Sequence, residues 1–97
     1  MVDVAPHQLD LIKTILKKHI PDRSVWAFGS RVTGQANQHS DLDLVILGAE
    51  SVDTKTMAML EYDFQISEIP FRVDLIQWAT TSEPFRQVIL KQYEKIV

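Results

Sequence analysis

Leu9, Ile12, Ile15, Leu16 and Ile20 recur every three to four positions, so residues 6–20 carry one apolar stripe and predict an amphipathic helix. Pro6 falls in its first turn, where a missing amide costs little. "PDR" ends that pattern, and the apolar, aromatic "VWAF" at 25–28 predicts a short strand closed by Gly29. The following "SRVTGQANQH" is polar, holds a second glycine and leaves room for a loop or a single helical turn. "DLDLVIL" at 41–47 then alternates before turning wholly apolar, the pattern of a buried strand.

Asp53 or Ser51 can cap a further helix that turns Met57, Leu60 and Phe64 inward. Pro70 ends that segment, and "FRVDLI" at 71–76 predicts a third strand with Arg72, Asp74 and Ile76 on one face. Thr81 or Ser82 can cap the last helix, with Pro84 in its first turn and Phe85, Val88, Ile89, Tyr93 and Ile96 as a core-facing stripe. Trp26 is expected in the core. A helix between the second and third strands implies a crossover, so the expected fold is α/β (α+β), a small mixed sheet of three or four strands covered by helices.

Composition narrows the picture. The 97 residues, without repeat or linker, predict a single domain over 1–97. Net charge is −3 with Lys and Arg dispersed, which argues against an extended nucleic-acid surface. There is no cysteine, hence no disulfide or thiolate metal site, which suits a reducing cytoplasm. Neither a signal-like N-terminus nor a membrane-spanning run is present, so the expectation is a soluble, cytoplasmic chain. An acidic chain that binds polyanions needs a local device, and a metal ion held by carboxylates is one.

Strand period places Asp41 and Asp43 on one side, two carboxylates within reach of one ion. With eight aspartates in the chain an Asp-x-Asp by itself is undiagnostic, but two acids at the mouth of a buried strand repel each other and demand an offset. Gly29 and Ser30 end the preceding strand, where a glycine lets backbone amides approach a phosphate and a hydroxyl adds a donor. Asp74 sits within an apolar run, either paired with Arg72 or positioned to complete a metal site and accept a proton. His39 is expected to be a solvated loop residue, and Trp78 a packed strand-end aromatic or a face for a nucleobase.

Together, "FGSRVTGQANQHSDLDLVIL" and "FRVDLI" resemble the minimal nucleotidyltransferase domains of the DNA polymerase β superfamily. The resemblance implies the nucleotidyltransferase fold and a Mg²⁺-dependent transfer of a nucleoside monophosphate, with ATP as substrate and two Mg²⁺ ions. It casts Asp41, Asp43 and Asp74 as catalytic residues and metal ligands, and Gly29 and Ser30 as the triphosphate-binding pair. Arg31 and Ser40 complete the implied nucleotide-binding set, Arg31 as countercharge to phosphate or else as a surface arginine after the turn, and Ser40 to cap the turn or to fix Asp41. The likeness is nearest to antitoxin-type domains encoded beside a helical HEPN protein, some of which place AMP on a tyrosine of that partner. A domain this small is expected to form a homodimer or hetero-oligomer, or else to bind nucleotide and neutralise its partner by contact alone.

Overall fold

A computed structural model describes the chain from Met1 to Val97. Helix α1 (Pro6–His19) leads into strand β1 (Val25–Phe28), the one-turn helix α2 (Ser30–Thr33) and strand β2 (Leu42–Ile46). Helix α3 (Thr54–Ile66), strand β3 (Val73–Gln77), a 3₁₀ turn (Trp78–Thr80), helix α4 (Glu83–Lys91) and the two-residue strand β4 (Glu94–Lys95) follow. The sheet order is β3-β2-β1-β4. β2 pairs with β3 in parallel, and β1 pairs antiparallel with both β2 and β4.

Local chemistry sets most of these boundaries. The Asp53 carboxylate caps α3 by accepting from the Thr56 amide at 3.0 Å, and Ser82 caps α4 by accepting from the Phe85 amide at 3.4 Å. Lys17, Lys18 and His19 occupy the last turn of α1, where cations complement free carbonyl ends. His19 Nε2 also lies 2.6 Å from Asp63 Oδ2, tying the end of α1 to α3.

Strand alternation divides the sheet into two unlike faces. Val25, Ala27, Leu42, Leu44 and Ile46 pack beneath α1 and α3 against Ile12, Leu16, Leu60 and Phe64. Each fully buried aliphatic side chain contributes about 1.5–3 kcal/mol, so this face supplies most of the hydrophobic stabilisation. The other face holds a smaller cluster of Phe28, Val45 and Ile89, flanked by half-buried Trp26, Leu47, Ile76 and Trp78.

The C-terminal end departs from the periodicity. α4 stops at Lys91, and Tyr93 and Ile96 lie beyond it. Pairing with β1 overrides the helical spacing: Glu94 and Lys95 register with Ala27 and Trp26, and the Val25 amide donates to the Val97 carbonyl at 3.0 Å. Of the expected core stripe, Ile89 and Ile96 are buried, whereas Phe85, Val88 and Tyr93 are exposed. A nine-residue helix meets the sheet along one line only, which Ile89 occupies. Trp26 is likewise half-buried rather than core, stacked on Tyr93 with ring centroids 4.1 Å apart. Trp78 is packed edge-on against Trp26.

Candidate active site

The glycine that ends β1 is required twice over. Gly29 adopts φ 79°, ψ −159°, a region essentially restricted to glycine. A Cβ there would also collide with Asp43 Oδ2. The chain therefore turns into α2 directly beneath a carboxylate, consistent with the β1–β2 register that sets Phe28 opposite Asp43. Ser30 opens α2, and Gly34 closes it in the left-handed region, its amide donating to the Ser30 carbonyl. The Ser30 and Arg31 amides fall in the first turn, where helical N–H groups lack intrahelical partners and favour an anion.

Asp43 and Asp74 are register partners in the parallel β2–β3 pair, so their side chains leave neighbouring strands on the same face. Asp41 is exposed, two residues upstream at the mouth of β2. This crowding pushes the Asp43 carboxyl above its ordinary value: burial contributes most, then the charges of Asp74 and Asp41, opposed by Arg72. Arg72 Nη2 lies 3.2 Å from Asp74 Oδ1, an exposed ion pair that leaves Asp74 open to solvent.

Two residues of the expected nucleotide set, Arg31 and Ser40, bond within the loop before Asp41, Ser40 as the cap it was expected to be. Arg31 is the one charged residue among the buried ones, 5% exposed. Its guanidinium donates to the carbonyls of Ser40 at 2.9 Å, Asp3 at 2.7 Å and Gln38 at 3.2 Å. It also lies 3.9 Å above the Phe71 ring. Countercharge to an exposed phosphate is thus not what this side chain offers here, because carbonyls and a ring face make a buried arginine's donors more valuable inside. Ser40 closes the turn before Asp41, its Oγ accepting from the Asn37 amide at 3.0 Å. His39 is exposed, as expected of a loop residue. Phe71 carried no sequence signal for this role, since its contact with Arg31 exists only once the sheet has formed.

The polymerase β nucleotidyltransferase family matches residues 10–97. The chain belongs to that family. A similar curated protein, "Probable protein adenylyltransferase MntA" of Haemophilus influenzae, is 49% identical over 92 residues, covering 95% of this chain and 81% of that one. Terminal uridylyltransferase cid1 of Schizosaccharomyces pombe is 38% identical over 60 residues, 62% of this chain and 15% of that protein. In fold, this nucleotidyltransferase is similar to a crystallised toxin-antitoxin with AMP-PNP, at TM-score 0.76 and 24% identity over 92% of this chain and 72% of that one. It is also similar to a complex of tri-AMPylated Shewanella oneidensis HEPN toxin with MNT antitoxin, at TM-score 0.70 and 23% identity over 94% of this chain and 70% of that one.

The candidate site has donor chemistry suited to a hard cation. Asp41, Asp43 and Asp74 offer only carboxylate oxygen, the donor class Mg²⁺ takes, and a cation would offset both the burial and the neighbouring charges that raise Asp43. The donor set fits, although no three such side chains converge tightly enough in this conformation to ligate an ion. The largest concavity, about 460 Å³ between α3 and β3, borders the site only through Arg72 and Asp74. Gly29, Ser30, Asp41 and Asp43 do not line it and form the open end of the sheet face. No helix is long and apolar enough to cross a membrane.

Proposed function

We propose that this nucleotidyltransferase moves AMP from ATP to a tyrosine hydroxyl of a helical HEPN partner, and so acts as its antitoxin. The observation that carries this reading is the pairing of Asp43 with Asp74 across β2 and β3, with Gly29 packed beneath Asp43. The 49% identical relative named as a protein adenylyltransferase supports AMP as the transferred group, and the similar complex containing an AMPylated HEPN toxin supports the partner.

The Gly29–Ser30 turn would hold the triphosphate through first-turn amides and Ser30 Oγ. Asp41, Asp43 and Asp74 would hold Mg²⁺, as two ions, which when bound screens phosphate charge and eases loss of the acceptor's proton. The acceptor oxygen bonds to the α-phosphorus while its proton passes to Asp74, a solvent-open carboxylate. The bond between the α-phosphorus and its bridging oxygen breaks, and pyrophosphate leaves. Placing the reactants in line is the main service such a surface can give.

Intact mass of the partner after incubation with this protein, ATP and Mg²⁺ tests the reading. Gain in whole AMP units, absent with Asp41→Asn/Asp43→Asn, is the expected result; no gain from a stable complex that binds ATP would overturn it. Exposed Phe85, Val88 and Leu90 on α4 favour a second reading, neutralisation by contact alone. It would be selected by an Asp41→Asn/Asp43→Asn/Asp74→Asn protein that still silences the partner.

A further inference from the structure

We infer that Arg31 is a positioning residue, holding the segments that carry the acids in mutual register rather than touching nucleotide. It follows Ser30 directly, and its guanidinium reaches each neighbouring segment of the site. Nε donates to the carbonyl of Ser40, the residue before Asp41, and Nη2 to that of Gln38 in the same loop. The face of the guanidinium rests 3.9 Å from the centre of the Phe71 ring, on the segment that enters β3 ahead of Asp74.

The N-terminal arm is fastened at the same point by a reciprocal pair. Arg31 Nη1 donates to the Asp3 carbonyl at 2.7 Å, and the Asp3 amide donates to the Arg31 carbonyl at 2.7 Å. Val2 beside it is buried in the main core. One planar cation thus joins the phosphate-binding turn, the loop before Asp41, the approach to Asp74 and the chain's first residues.

No carboxylate pairs with Arg31, and no buried side-chain nitrogen or oxygen lacks a hydrogen-bond partner. Its charge is met by carbonyl dipoles and a ring face, an arrangement that uses the fork geometry as much as the charge. A lysine at this position keeps the charge but places all its donors at one point, and cannot bond three separated carbonyls from above a ring. Phosphate binding would tolerate that exchange far better than positioning would.

The kinetic expectation rests on the nucleotidyl-transfer reading, whereas amide exchange does not. Arg31→Lys should speed exchange at residues 36–42 at least about tenfold while α3 stays protected, the signature of local rather than global opening. Turnover should fall about ten- to a hundredfold, as for a small misplacement of catalytic groups, with the dissociation constant for AMP-PNP changed less than about threefold. Phe71→Leu, which removes only the ring, should show the same pattern more weakly and serves if Arg31→Lys does not fold. Wild-type exchange in 36–42, or a loss confined to AMP-PNP affinity, would overturn the inference. If the unaltered protein transfers no nucleotide, the functional reading fails while the exchange result still decides the role of Arg31.

Discussion

Asp43 and Leu44 are adjacent on β2 and point to opposite faces of the sheet. Leu44 is fully buried beneath α1 and α3 among aliphatic neighbours. Asp43 stands on the face that α4 covers only in part, beside two like charges. One face is packed as a core; the other ends in a cluster of acids in which the ionised Asp43 works against the fold. Stability and chemistry are thus separated by a single step along one strand, and substitutions at these two positions should move them in opposite directions.

Asp43→Asn should have the largest effect. Loss of a carboxylate proposed to hold Mg²⁺ is expected to lower transfer about a thousandfold, equivalent to about 4 kcal/mol of barrier. Stability should nonetheless rise at neutral pH. The folded carboxyl titrates above its ordinary value, so its ionisation penalises the fold once pH exceeds that ordinary value, and the full penalty persists above the raised one. Below the ordinary value both states are protonated and the advantage of Asn should vanish. Urea midpoints for the two proteins at pH 7 and pH 3 measure this; a lower midpoint for Asp43→Asn at pH 7 would show the carboxylate to be structural.

Leu44→Ala should do the reverse. Truncating this side chain should cost about 2–5 kcal/mol in urea unfolding. Transfer per folded molecule should stay within about twofold, because the cavity opens on the face away from the acids. A large loss of turnover in the folded fraction would show that the two faces are coupled.

What could be read from the sequence follows the same division. Elements set by local signals were legible: the stripe of α1, the caps at Asp53 and Ser82, and the alternation of β2. The candidate site was legible where its residues lie in a contiguous motif, as in Gly29–Ser30 and Asp41–Asp43, and the β1–β2 register brings Gly29 against Asp43. β4 was not, because residues 92–97 are compatible with a helix and turn extended only through pairing with β1. Nor was the role of Arg31, which depends on carbonyls of Asp3, Gln38 and Ser40 and on the Phe71 ring, drawn together only by folding. An arginine after a glycine turn looks the same from the sequence whether it faces a phosphate or a ring.

The smallest expected effect concerns the packed face, where α1 meets α3. Asp63 lies 2.6 Å from His19 Nε2 and 3.2 Å from Lys18 Nζ. Bonding to His19 first, then to Lys18, holds its carboxyl below the ordinary range. Such a group adds stability above its unfolded value, near 3.8, and that contribution is lost as pH falls from there through the lower folded value. Asp63→Asn should therefore be the less stable protein at pH 6, with the difference from wild type shrinking below pH ~4 and gone once both forms are neutral. Thermal midpoints across that interval test it, and raising salt at pH 6 should narrow the gap only in part, because the short His19 bond is shielded from solvent while the Lys18 contact is not. A gap unchanged by acid would show that the stabilisation does not come from the ionised Asp63 carboxylate.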